Sequence, residues 1–178
     1  MSKACQCLHE ILSEWPCYRA GFDVTAIAQN GLYFLFEKGE RGHGKNRIVR
    51  VGTHSGQNNL AKRIREHLFA ANKDRSIFRK HIGRCLLTRE NDSFLTQWNI
   101  DLTPRVAKDK HGSQIDKNRL LQAEKSVTEY MNANFSFVIL EVKNVSKRLA
   151  IEESCIATIA RCAECGPSKK WQGCIIPI

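Results

Sequence analysis

Two helical segments carry ionisable side chains on the faces that their amphipathic patterns turn inward. In residues 60–69 (LAKRIREHLF), a rotation of 100° per residue from Leu60 puts Ile64 and Leu68 within about 80° of it. Arg63 and His67 then fall at about 300° and 340°, just to the other side of the same face. Lys62, Arg65 and Glu66 point away. A guanidinium and an imidazole one turn apart can converge on one ligand, and the planar guanidinium fork suits a phosphate. The plainer alternative is an arginine that snorkels and a histidine satisfied at the core edge. Residues 146–162 (SKRLAIEESCIATIARC) behave similarly. With Leu149 at zero, Ile151, Cys155, Ile156, Ile159 and Ala160 cover an arc from about 200° to 20°, and Glu152 lies inside it near 300°. An unpaired buried carboxylate is costly, so Glu152 must be paired with an arginine, protonated or bound to a cation. Its neighbour Glu153 sits at the edge of the stripe and is expected in solvent.

The cysteines pose a separate question. Cys155, Cys162, Cys165 and Cys174 are spaced C-x6-C-x2-C-x8-C, which would suit a structural zinc tetrahedron. Cys155 and Cys162 also lie on the apolar arc, where small core thiols are the other reading. Cys5, Cys7 and Cys17 are too unevenly spaced to join that set.

The elements that must position these groups follow from periodicity and breakers. Leu8, Ile11, Leu12 and Trp15 recur at helical spacing over residues 5–15 before Pro16. LYFLFE (32–37) and RIVRV (47–51) read as a hairpin joined by a long glycine-containing loop, KGERGHGKN. Further helices are expected over 60–69, 76–87, 120–132 and 146–162, and a third strand over 135–142. Residues 88–119, rich in Asp, Lys, Asn and Gly around KDKHGSQIDKN, read as an insertion or mobile loop. The expected fold is α/β (α+β), a small, mainly antiparallel three-stranded sheet flanked by helices. The expected organisation is an N-terminal helical extension over 1–30 and a domain over 31–178 that carries the polar insertion.

The 178 residues give 42% hydrophobic and 26% charged side chains, a composition that excludes collagen-like or wholly disordered chains. No stretch suits a membrane helix and the first residues lack the apolar block of an export signal, so a soluble cytoplasmic protein with reduced thiols is expected. The formal net charge is +10. It is concentrated between residues 38 and 90, which hold 14 basic against 4 acidic side chains. Such a segment suits a polyanionic partner or, more simply, a solubilising surface.

Gly31-Leu32-Tyr33 opens the first strand with its tyrosine on the face opposite Leu32 and Phe34, and Arg50-Val51-Gly52 closes the second just before the basic helix. With Arg63 in NLAKRIREH and Glu152 in AIEESCI, this order resembles the GIY-YIG nuclease superfamily. In that superfamily a hairpin carries both tripeptides, a helix carries an arginine and a later helix carries a glutamate. The Arg63-x-x-x-His67 spacing is similar to restriction-type members, and RVGTH with NKDRSIFRKHIG is similar to a bacterial branch. Arg50 replaces the tyrosine of the second motif, Thr53 stands where repair-type members often carry lysine, and the family's late asparagine has no counterpart after Gly173.

The resemblance implies a metal-dependent DNA endonuclease. Tyr33, Arg50, Arg63, His67 and Glu152 would be catalytic, and Glu152 would hold Mg²⁺ or Mn²⁺. Tyr33 would act as a base once positive charge favours its phenolate, with His67 relaying or orienting its proton. The substrate would be DNA, taken as double-stranded, with phosphate contacts from Lys45, Arg47, Lys62, Arg105, Lys108 and Lys110. The alternatives are a catalytically weakened nucleic-acid-binding module of the same fold, or a zinc-stabilised interaction domain.

Overall fold

The computed structural model describes residues 2–168. The chain divides into two compact units. The first comprises residues 2–64 and 133–168 and the second residues 65–132. In chain order the elements are α1 (Lys3–Ser13), β1 (Cys17–Tyr18), β2 (Gly31–Gly42), β3 (Lys45–Gly52), α2 (Leu60–Leu68), α3 (Ile77–Arg89), α4 (Leu95–Trp98), α5 (Arg105–His111), α6 (Lys117–Asn134), β4 (Phe135–Glu141) and α7 (Val145–Ala160).

The first unit is built on a four-stranded sheet in the order β1-β4-β2-β3, with every neighbouring pair antiparallel. The expected sheet had three strands. The fourth is the two-residue β1 at the edge against β4, too short to leave an alternating pattern in the sequence. Leu32, Phe34 and Phe36 project to one face, where Leu12 of α1 and Ile151, Ile156 and Ile159 of α7 complete an apolar core with Ile48, Val51 and Val138. Tyr33 and Leu35 project to the other. Helix α1 starts at Ser2, whose Oγ caps it by accepting the Cys5 N–H at 3.4 Å.

The hairpin is longer than its apolar runs suggest. KGERGHGKN is strand for most of its length, and only His43 and Gly44 form the turn, between paired Gly42 and Lys45. Both turn residues have positive φ, 52° and 72°, the type I′ geometry whose twist matches a hairpin and which glycine adopts freely at the second position. The extension holds because its inward polar residues pair. Arg47 and Glu40 are both buried, with Nη2 and Nε of the arginine 2.7 and 2.8 Å from Oε2 of the glutamate.

The second unit is helical. Leu68, Phe78, Ile82, Leu87, Phe94, Trp98, Ile115, Val127 and Met131 are its buried apolar residues among those described. Three of them, Phe94, Trp98 and Ile115, come from the stretch expected to be a loop. That stretch instead contains α4 and α5, and the Trp98 indole N–H donates to the Lys80 carbonyl at 2.9 Å. The few apolar residues of the stretch are the ones that anchor it, which a composition-based reading averages away.

Candidate active site

The site in the first unit starts from a close backbone approach. Tyr33 in β2 pairs in register with Gly52 in β3, and its phenol lies directly over that glycine. A Cβ at position 52 would stand 2.3 Å from Tyr33 Oη and 2.4 Å from Cζ, so only glycine admits the ring. The glycine of the second tripeptide therefore serves the tyrosine of the first. Arg50 pairs with Leu35, two positions along the same ladder, and so projects from the same face as Tyr33.

The strand ends at Gly52, and Thr53 and His54 turn back on the start of β2. Thr53 Oγ1 donates to the Gly31 carbonyl at 2.8 Å, while His54 Nε2 accepts the Gly31 N–H at 3.3 Å. Both backbone groups of Gly31 outside its pairing with β4 are thus held by the two residues after the tripeptide. Burial and the nearby Arg148 charge lower the pKa of His54, consistent with a neutral ring accepting at Nε2. His54 is 4% exposed.

Helix α7 packs on the Phe34 face, and Glu152 meets the strand at its end. Its carboxylate accepts the Thr53 N–H and lies within electrostatic reach of Arg50 and Arg63. Burial pushes the pKa of Glu152 up, and the Thr53 hydrogen bond and the two guanidiniums oppose that rise without cancelling it. Glu153 is exposed. Tyr33, Gly52, Thr53 and Glu152 therefore form a chain of neighbours, with Arg50 and Arg63 beside the carboxylate. A single carboxylate oxygen set flanked by guanidiniums suits a hard divalent cation that completes its shell with phosphate oxygens and water.

Arg148 is a residue of the candidate site that the sequence reading missed. It is fully buried on α7. Its Nη2 donates to the Gly56 carbonyl at 2.6 Å, and its Nη1 to Asn30 Oδ1 at 3.3 Å and the Lys143 carbonyl at 3.2 Å. Asn30 Oδ1 also accepts the Asn58 N–H at 2.8 Å. The arginine thereby fixes the loop between β3 and α2, which delivers Thr53 to Glu152. The signal was present, since Arg148 falls at about 260° on the helical wheel that singled out Glu152, inside the same arc.

His67, in the second unit, is buried with Nδ1 2.7 Å from Ser76 Oγ, the hydroxyl that caps α3. Arg47 is buried in its pair with Glu40 and does not present its guanidinium to solvent. Lys62, Arg105, Lys108 and Lys110 are exposed, and Lys45 is partly so. Cys155 packs with the sheet core, burial raising its pKa, and is not part of the sulfur cluster described below. Cys162 and Cys165 do belong to that cluster, and Cys174 lies outside the described residues. Cys5, Cys7, Cys17, Cys155, Cys162 and Cys165 are free thiols, whereas Cys85 is disulfide-bonded. Among the described residues no helix is long and apolar enough to cross a membrane.

Comparison with known proteins matches the chain to the GIY-YIG domain family over residues 10–176. No curated protein and no solved structure matches the chain significantly.

Proposed function

Because the chain belongs to the GIY-YIG domain family, a family of nucleases, we propose that it is a metal-dependent endonuclease that hydrolyses phosphodiester bonds in double-stranded DNA. The observation that carries this reading is the meeting of Glu152 from α7 with Thr53, Arg50 and Arg63 at the end of the strand whose last glycine lies under Tyr33. Five groups separated by up to 119 positions in the chain meet there, and each has a task in phosphodiester hydrolysis.

Glu152 would hold a divalent cation, Mg²⁺ or Mn²⁺, which supplies Lewis-acid stabilisation of charge on the phosphoryl and leaving oxygens. Arg63 and Arg50 would neutralise the non-bridging phosphate oxygens, a guanidinium fork matching two of them at once. Tyr33 would take the proton of the attacking water as its oxygen bonds to phosphorus in line with the departing 3′ oxygen. The bond from phosphorus to that oxygen breaks, leaving a 5′ phosphate and a 3′ hydroxyl that takes up a proton from solvent. Thr53 and Arg148 act as positioning residues, the one through its N–H on Glu152 and the other through the loop that carries Thr53. The exposed Lys62, Arg105, Lys108 and Lys110, with Lys45, would meet backbone phosphates and contribute salt-dependent affinity.

A second reading, a DNA-binding module of the same fold with weakened catalysis, draws on Arg50 standing in place of the second tyrosine. Supercoiled plasmid separates the two. The endonuclease nicks or linearises it with Mg²⁺ and stops with EDTA, and a salt-sensitive gel shift without cleavage selects the binding module. Glu152→Gln should lower cleavage by about 100-fold or more, the loss of several kcal/mol of charge stabilisation, while metal-free DNA binding persists. A folded Glu152→Gln protein that cleaves at the parent rate would overturn the assignment.

A further inference from the structure

The first unit contains a second cluster of ligand-type side chains, none of them shared with the Glu152 group. Cys5 comes from the first turn of α1, His43 from the turn of the β2–β3 hairpin, and Cys162 and Cys165 from the short 3₁₀ turn after α7. Cys5 Sγ lies 3.4 Å from Cys165 Sγ, and His43 Nε2 lies 3.2 Å from Cys162 Sγ. Cys162 also interacts with both Cys5 and Cys165. The donor atoms of Cys5, His9, His43 and Cys165 all fall within 4.8 Å of one another. The three thiols and the His43 ring are all shielded. Cys5, Cys162 and Cys165 are 0%, 7% and 6% exposed, and the His43 side chain is 2% exposed.

Core thiols ordinarily pack against carbon. Here three sulfurs and an imidazole nitrogen face one another. A disulfide does not account for the group, because 3.4 Å is far beyond the roughly 2.05 Å of an S–S bond, and a bond between any two sulfurs would leave the third and the imidazole without a function. A tetrahedral ion does account for it. Zn–S bonds of about 2.3 Å set sulfurs about 3.7 Å apart around a common centre, close to the 3.4 Å between Cys5 and Cys165.

Two histidines border the cluster, and their hydrogen bonds distinguish them. His9 Nδ1 lies 2.9 Å from the Cys5 carbonyl, to which it donates, and its Nε2 accepts the Ile48 N–H at 3.3 Å. Both of its nitrogens bond the backbone at these shorter distances, while each stands 3.8 Å from a cluster sulfur, Nδ1 from Cys5 and Nε2 from Cys165. His43 Nδ1 faces Glu164 Oε2 at 3.3 Å. A proton held there by the carboxylate leaves the Nε2 lone pair directed at Cys162. A carboxylate behind a histidine is the arrangement that fixes tautomer and ring orientation in metal sites. We propose that Cys5, His43, Cys162 and Cys165 form a tetrahedral structural Zn²⁺ site that pins α1, the tip of the hairpin and the turn after α7 to one another, with His9 and Glu164 as its outer shell.

Three thiolates and one imidazole suit zinc and exclude the hard cation assigned to Glu152. Each thiol loses its proton to solvent as its bond to the ion forms, so loading is pH-dependent and releases protons. The ion would close contacts between residues up to 160 positions apart, and would stabilise the fold without entering the hydrolytic step.

The test uses the full chain and reads metal, not cleavage, so its outcome is independent of the nuclease reading. Protein expressed with added zinc should carry one zinc ion per chain by elemental analysis. After removal of the zinc by a strong chelator, Co²⁺ should give the intense visible bands of a tetrahedral site together with thiolate charge transfer. Melting temperature should fall when zinc is removed and recover when it is restored. His43→Ala and Cys162→Ser should abolish stoichiometric binding, Glu164→Gln should weaken it by about tenfold or more, and His9→Gln and Cys155→Ser should leave it intact. A wild-type chain that holds no zinc and gives no Co²⁺–thiolate bands would overturn the proposal, whether or not any variant folds. Loss of metal in His9→Gln with retention in His43→Ala would overturn the ligand assignment.

Discussion

Glu124 in the second unit and Glu152 in the first both sit on helices beside arginines, and the fold treats them differently. Glu124 is 5% exposed. Its Oε2 receives Nη2 and Nε of Arg79 at 2.8 and 3.3 Å, and its Oε1 receives the Lys73 N–H. Arg79 spends its remaining donors on the Leu68 and Glu124 carbonyls, the Thr128 hydroxyl and Met131 Sδ, at 3.2, 3.2, 2.7 and 3.8 Å. Glu152 is partly open, accepts the Thr53 N–H, and has its pKa pushed up by burial in spite of Arg50 and Arg63. A carboxylate whose lone pairs are saturated by its own fold serves stability. One that the fold leaves unfavourably ionised can gain from a cation and a phosphate, which is the usual signature of a functional group.

The largest expected effect tests the first half of that contrast. Glu124→Gln should destabilise the protein by about 3 to 5 kcal/mol, because it leaves the Arg79 charge buried without its counter-ion. Denaturant unfolding would measure it, and a loss below about 1 kcal/mol would remove the distinction between the two glutamates. Glu152→Gln is the opposing arm. A carboxyl whose folded pKa is raised loses stability as pH rises through that value. Its neutral replacement should therefore melt at the same temperature or higher at pH 7, while cleavage collapses. A melting temperature that falls as far as that of Glu124→Gln would make Glu152 a structural ion pair instead.

How much of this the sequence disclosed depends on the range of the signal. Strands β2, β3 and β4 and helices α2 and α7 were legible because their apolar residues recur at periods set by local geometry, and Arg63 and Glu152 stood out against that periodicity. Arg148 lay on the same arc, yet apart from Asn30 its partners are backbone carbonyls, which carry no sequence signal. The Cys5–His43–Cys162–Cys165 group was hidden because spacing along the chain favoured Cys155 and Cys174, whereas packing of α1 against the hairpin selects Cys5. The length of the hairpin was hidden for a related reason. Glu40 and Arg47 read as loop residues until each is seen to bury the other's charge.

An intermediate effect comes from Gly52, where the catalytic arm of the contrast depends on shape more than charge. Gly52→Ala would drive a methyl group into the Tyr33 phenol, 2.3 Å from Oη. Such overpacking typically costs about 1 to 3 kcal/mol. Displacement of the hydroxyl should lower cleavage further than the stability loss explains, and Tyr33→Phe should reproduce the cleavage defect without the loss of stability. If Gly52→Ala cleaves normally, Tyr33 does not need its present position and the role of the phenol falls.

The smallest effect is expected from His54, which joins the Glu152 loop to the start of β2 by accepting the Gly31 N–H. Burial first, and then the Arg148 charge, hold its folded pKa below the ordinary imidazole value. The unfolded chain therefore binds a proton near pH 6.5 that the folded chain refuses. The contribution of His54 is fully present above that pH and is lost as pH falls from about 6.5 towards the folded value, with a slope of at most about 1.4 kcal/mol per pH unit. In zinc-saturated protein, melting temperatures followed from pH 7.5 to 5.5 should decline, and His54→Gln should flatten part of that decline by substituting an acceptor that does not titrate. Glu124→Gln, made in the unit that lacks this loop, should shift the whole curve downward and leave its shape unchanged. An identical decline with and without His54 would mean that the loop delivering Thr53 to Glu152 does not depend on a neutral imidazole.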